Sequence, residues 1–294
     1  VVEDRSFGRR AFIIINITWL IIFSVICLFP YIHIIALSLS SSSAATAGEV
    51  VIWPVDITFK SYEFLVGKSQ FIRSFLISME RVALGLIVNM GLVILIAYPL
   101  SKENRRFKSR SVYVWFFVFT MLFNGGLIPT YLTVKTLGMI DSIWALILPT
   151  AVQVFSVTIM LNFLRGLPKE LEESAFIDGA GHFTFLFRIA LPLSLPALMT
   201  LSLFSIVFHW NSWFDGLIYI NDDTNYPLQT FIQKSIVTDT LQFMRSNRAS
   251  VMKAISTRTV RAAQILVSSV PVLIAYPFIQ RYFMSGIVLG SVKE

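Results

Sequence analysis

The 24 residues RGLPKELEESAFIDGAGHFTFLFR, Arg165 to Arg188, separate two long apolar runs, Ser142 to Leu164 and Ile189 to Phe214. Pro168 suits a first helical turn, and Glu170, Glu172 and Glu173 follow where the helix macrodipole favours negative charge. A short helix therefore starts there. Leu171, Ser174, Ala175 and Asp178 share one stripe of it, and the small side chains of Ser174 and Ala175 allow another surface to come close. Gly179 and Gly181 stop the helix and permit a sharp turn before Phe183, Phe185 and Phe187 climb through Leu191-Pro192 into the next run. Two arrangements fit this pattern equally: an L-shaped knob below a membrane, or a simple surface helix at the headgroups.

Outward from this segment the chain is apolar. It has 24 Lys+Arg and 17 Asp+Glu among 294 residues, 55% hydrophobic residues and 26 Phe, with a mean hydropathy of +0.72. A soluble domain carries about 25% charged residues, and here the figure is 14%. Disorder, a collagenous chain and an ordinary water-soluble enzyme are excluded. Six uncharged runs are long enough to cross a bilayer: 11–40, 82–101, 111–134, 142–164, 189–214 and 262–280. The fold class is an all-α membrane protein with six transmembrane helices, read as one domain over 1–294. The first run is too long for a cleaved signal peptide, and the small-residue site Ala45-Thr46-Ala47 lies too far beyond it.

Basic residues orient the spans. Arg5, Arg9 and Arg10 precede the first, and Lys102, Arg105, Arg106, Lys108 and Arg110 follow the second, so both segments are expected in the cytoplasm. Six spans return the C-terminus to the same side. The loop 165–188 is then cytoplasmic, and 41–81, 135–141 and 215–261 lie outside. One count disagrees: Lys234, Arg245, Arg248, Lys253, Arg258 and Arg261 fall on the outer side. The net charge of +7 is attributed to span-flanking residues rather than to nucleic-acid binding.

No charged side chain lies inside the six runs as drawn, so the mid-membrane carboxylates of proton- or sodium-driven carriers are missing. Energy comes from elsewhere, or the protein is a passive channel or a secondary carrier acting alone. Pro99, Pro129, Pro149, Pro192, Pro196, Pro271 and Pro277 fall within runs and fit either kinked helices around a pathway or plain helix ends. Gly67-Lys68-Ser69 looks like the end of a phosphate-binding loop, but position 62 is Tyr where that motif needs Gly. His33, His182 and His209 stand in three separate segments, and Cys27 is the single cysteine, so no metal site and no catalytic residues are expected. No cofactor is expected in this chain.

The segment Glu170 to Pro196 resembles the EAA loop of bacterial ABC importer permeases. The matching residues are Glu173, Ser174, Ala175, Gly179, Ile189, Leu191 and Pro192, with Ser174 replacing the usual Ala. Ala97-Tyr98-Pro99-Leu100-Ser101, GGLIPTY at Gly125 to Tyr131, Trp210-Asn211-Ser212-Trp213-Phe214, Tyr226 to Thr230 and Tyr276 to Glu294 are similar to the carbohydrate-uptake branch. The resemblance covers essentially the whole chain. It implies the type I importer permease fold in a bacterial inner membrane, with N- and C-termini cytoplasmic.

It also implies partners: a second, homologous permease, two cytoplasmic ABC ATPase subunits that hold ATP and Mg, and an extracytoplasmic solute-binding protein. In such families the loop's helix docks in an ATPase cleft, a role carried here to Glu173, Ser174, Ala175 and Asp178, with Gly179 as the turn. Gly290, Ser291, Val292, Lys293 and Glu294 resemble tails that reach the ATPase. The GGLIPTY and YPLQT strings resemble the branch handling plant and algal oligosaccharides, which implies an acidic sugar such as alginate or a similar polyuronate. Six basic against three acidic residues in 221–261 give a positive outer field, with Arg245 and Arg248 as delivery residues, or else ordinary loop and headgroup charges.

Overall fold

The structure is a computed structural model that describes residues 7–103, 105–245 and 258–277. Among the described residues all regular structure is helical. The chain forms two compact units, the described residues of Val1–Ser69 with Ser235–Ser269 and those of Gln70–Lys234 with Val270–Glu294.

In the first unit the helix Phe7–Ser38 leaves nearly its whole apolar surface uncovered, from Phe12 to Tyr31. A helix that is apolar on all sides suits hydrocarbon or a neighbouring subunit, and its 32 residues reach about 48 Å. At its end Ala36, Ala44 and Val50 form a small core. The Ser40 hydroxyl donates to the Ala36 carbonyl at 2.7 Å and accepts from the Val55 amide at 3.0 Å, holding the following loop against the helix.

The second unit is built on the helix Ser69–Ser101. It begins 13 residues before the apolar run at Val82 and so includes Arg73, Glu80 and Arg81. Among the described residues three helices are long and apolar enough to cross a membrane: Gly8–Ser38, Ser69–Ser101 and Arg258–Pro277. Three further pairs, each counted as one span, bring the number to six.

Those pairs fall in the apolar runs 111–134, 142–164 and 189–214, each of which is bent. Arg110–Leu122 and Leu127–Thr136 meet at 114°. The bend lies at Asn124-Gly125-Gly126, where Gly126 has φ +89° and its amide donates to the Asn124 side-chain oxygen at 2.8 Å. Ile143–Thr150 and Val154–Arg165 meet at 53° after Pro149. His182–Leu193 and Leu195–Asn211 meet at 82° around Ser194. Pro192 and Pro196 on either side of it lack the amides that would continue the helical ladder. Hydropathy is continuous through all three bends.

One core holds the end of Ser69–Ser101, through Val93, Ala97 and Tyr98, against Met160 and Leu164, Phe185 and Leu186, and Leu201. Ala175 of the segment 165–188 belongs to the same core. A separate cluster of Val134, Ala145, Leu146, Tyr219, Ile220 and Tyr226 packs away from it.

Candidate functional site

The segment 165–188 folds into a knob of two short helices joined by a tight turn. Pro168 precedes the helix Lys169–Ile177 with φ −56° and ψ 132°, one residue earlier than a first-turn proline. The helix ends in a Schellman motif: the Gly179 amide donates to the Phe176 carbonyl at 3.1 Å and the Ala180 amide to the Ala175 carbonyl at 2.9 Å. Gly179 has φ +82°, a conformation that a side chain would strain. Gly181 has φ −82° and ψ 170°, ordinary extended backbone, so only Gly179 is needed for the turn. The chain then re-enters a helix at His182, seven residues before the apolar run at Ile189.

Side chains fix the knob to the end of the Ser69–Ser101 helix. Glu172, 18% exposed, bridges Lys102 at 2.9 Å and Arg106 at 2.6 Å. Lys169 pairs with Glu103. The Tyr98 hydroxyl and the His182 ring nitrogen Nδ1 share a hydrogen bond of 3.0 Å, and Phe176 meets the His182 ring edge-on. Burial pushes the Lys102 ammonium below the ordinary lysine value, and its bond to Glu172 pulls it back. The hydrogen bond from Lys169 holds the Glu103 carboxyl below the usual range.

A second polar site lies nearer the start of the same helix. Arg81 is 0% exposed and makes an ion pair with Asp215, whose side chain is 23% exposed. One guanidinium nitrogen also reaches the Leu146 carbonyl at 3.3 Å, and the other the Ser212 carbonyl at 3.4 Å. One buried cation thus joins three segments of chain. Two turns further on, the Asn89 side-chain oxygen accepts from His209 Nε2 at 2.8 Å, and its amide nitrogen donates to the Thr150 carbonyl at 3.2 Å. Gly85 lies between, and a Cβ there would overlap the His209 ring. Arg81, Gly85 and Asn89 therefore form a buried seam facing His209 and the Ser212 carbonyl.

Residues 104–289 match the family of binding-protein-dependent transport system inner membrane components. The chain belongs to that family. It is 38% identical over 286 residues to the polygalacturonan/rhamnogalacturonan transport system permease protein YtcP of Bacillus subtilis, covering 97% of this chain and 99% of YtcP. It is also 38% identical to protein LplC of the same organism, over 97% of this chain and 95% of LplC. Among solved structures it is similar to a crystal structure of a bacterial ABC transporter involved in the import of the acidic polysaccharide alginate. That match has a TM-score of 0.85 and 31% identity, over 96% of this chain and all of that one. As an inner membrane transport component the chain is a permease and not an enzyme.

In this permease Glu173, Ser174, Asp178 and Gly179 are exposed, whereas Ala175 is 6% exposed and packed into the core. The expected stripe of Leu171, Ser174, Ala175 and Asp178 therefore divides, one residue inward and three outward. Arg245 ends the helix Leu228–Arg245. Its side chain, Arg248, and Gly290 to Glu294 lie outside the described residues. The sequence reading gave Glu172 only a place in the first helical turn and did not single out Arg81 or Asp215. Glu172 stands three positions before Ala175 on the same helical face, and that spacing was its signal. Arg81 and Asp215 are opposite charges that border two apolar runs at Val82 and Phe214, and drawing the runs to exclude charge hid their pairing.

Proposed function

We propose that this permease is the transmembrane subunit of an ATP-driven importer that takes an acidic oligosaccharide from a solute-binding protein and passes it to the cytoplasm by alternating access. Its partners in this reading are a second permease and two ATPase subunits, which bind ATP and Mg. The observation that carries the reading is the knob: a short helix on which the exposed Glu173 side chain makes no hydrogen bond or salt bridge with another described residue. The neighbouring Glu172 fastens the same helix to Lys102 and Arg106. A lever must be stiff toward its own subunit and free toward its partner, and these adjacent glutamates divide those tasks. In this account Ser174 and Asp178 flank the contact, Ala175 seats the helix, and Gly179 turns the chain back toward the membrane.

Support for an acidic sugar is chemical. Polygalacturonan and alginate, the polymers named for two of the similar proteins, are both polyuronates. Within the outer segment Lys234 already binds Asp223 at 2.5 Å, so a field for a polyanion rests on the arginines, Arg245 and Arg248 among them. Cytoplasmic termini, the placement of 165–188 on that side, contact of Gly290 to Glu294 with the ATPase, and action of the two compact units as one domain belong to the same proposal.

The test uses Glu173→Lys and Gly179→Val in the assembled transporter. Both are expected to insert and to lose sugar-stimulated ATP hydrolysis or subunit association. Wild-type values for both variants would remove the docking role.

A further inference from the structure

Two cavities of opposite character share a wall at the foot of the Ser69–Ser101 helix. The first, about 480 Å³, is lined by five basic residues, Lys102, Arg106, Arg110, Arg165 and Lys169, against three carboxylates. Its lining carries a surplus of two positive charges. The second, about 680 Å³, is walled mainly by Leu95, Pro99, Phe107, Phe176, Phe183 and Leu186. Tyr98, Lys102 and Arg106 border both.

The surplus has a location. Lys169 and Glu103 cancel each other, but Glu172 is one carboxylate between two cations, Lys102 and Arg106. Arg165 donates to the Leu100 carbonyl at 3.3 Å, a neutral acceptor, and the two remaining lining charges, Arg110 and Glu173, are of opposite sign and offset each other in the sum. Lys102 stands 4.1 Å from the centre of the Tyr98 ring, at the junction of the chambers, with its hydration partly stripped. An anion in the first chamber would meet cations already brought together.

We infer that the two cavities form one binding site for an anionic glycerophospholipid, with its phosphate among Lys102, Arg106 and Arg165 and an acyl chain along Leu95, Pro99 and Phe183. The first chamber falls within the range of about 300–1,000 Å³ common to small-molecule sites. A soluble phosphate would leave the apolar chamber empty, whereas a lipid fills both. Leu95 and Phe183 are exposed, so that chamber opens outward along the apolar flank of the helix. Lys102 also begins the basic segment that directly follows an apolar run, where a span's end meets the headgroup layer. Glu173 lines the first chamber, so a bound lipid sits against the residue proposed to meet the ATPase. This inference rests on the transport reading for the side of the membrane concerned.

The test is retention of lipid by the assembled transporter after delipidation in detergent, read by native mass spectrometry. Phosphatidylglycerol, phosphatidylcholine and inorganic phosphate are offered in separate arms. The wild type retains phosphatidylglycerol over phosphatidylcholine. Arg165→Gln, which leaves Glu172 with both its cations, lowers that retention about fivefold, the equivalent of about 1 kcal/mol for one basic residue. Leu95→Trp fills the apolar chamber and lowers retention without altering charge. Equal retention of the two lipids, or unchanged retention in both variants, overturns the inference. Full displacement of the lipid by inorganic phosphate also overturns it, because the site would then recognise phosphate alone. If Arg165→Gln does not assemble, Leu95→Trp and the wild-type comparison still decide. Sugar-stimulated ATP hydrolysis in the same preparation separates the two readings: with it present and lipid retention unselective, only the lipid site fails. With lipid retained selectively and no sugar response, only the transport reading fails.

Discussion

Replacing Asp215 with Asn leaves the Arg81 guanidinium buried with no carboxylate beside it. Its remaining acceptors, the Leu146 and Ser212 carbonyls at 3.3 and 3.4 Å, satisfy protons but do not neutralise the charge. Breaking a buried ion pair on one side costs about 3–5 kcal/mol. Asp215 keeps 23% exposure, so the pair is partly screened and the lower end applies, about 3 kcal/mol. Removing both charges is a different perturbation. Arg81→Met with Asp215→Leu deletes the desolvation penalty together with the attraction, and such double replacements are often neutral or stabilising. The double variant is therefore expected to be more stable than Asp215→Asn alone. Unfolding in mixed micelles with rising SDS, followed by tryptophan fluorescence, compares the wild type, Asp215→Asn and the double variant. If Asp215→Asn lies within about 0.5 kcal/mol of the wild type, the range of an ordinary surface substitution, then Arg81 is hydrated and the buried seam is wrong.

Three further outcomes test separate parts of the account. Gly85→Ala places a methyl group into the His209 ring and should break the bond between His209 and Asn89; loss of purified protein stability is expected, and a stable variant with unchanged unfolding would show that the two helices can move apart. In a Cys27→Ser background, Asn104→Cys should react with an impermeant thiol reagent from the cytoplasmic face and Asp223→Cys from the outer face, and labelling of both from one side would mean a span has been miscounted. Arg245→Gln with Arg248→Gln should reduce uptake of a uronate oligomer but not of a neutral one, with the difference fading as salt shortens the screening length from about 8 Å; an equal fall for both sugars would make these arginines structural.

The parts of the fold that depend on length and polarity were legible in the sequence. Six apolar runs and the acidic helix after Pro168 needed only residue spacing. The direction of the chain within a run was not, because a bend changes no residue's hydropathy. Gly125, Gly126 and the Pro192 and Pro196 pair were the available signals, and they mark where two of the three breaks occur. The knob shows a similar division. Its turn at Gly179 was readable, since a helix ending in glycine needs little tertiary information. Which of three neighbouring glutamates faces the core was not, because their difference is set by the depth at which Ala175 seats the helix. Arg81 and Asp215 stand 134 positions apart, and their pairing depends on how two helices align across the unit.

The most direct test of the account is uptake of a labelled uronate oligomer into proteoliposomes that contain this permease with its partner permease and ATPase, with ATP inside or absent and the binding protein outside or absent. The account predicts uptake only when ATP and binding protein are both present, and none when Glu173→Lys replaces the wild type. Uptake down a gradient without ATP, or without the binding protein, would contradict it and identify a passive channel or a carrier working alone.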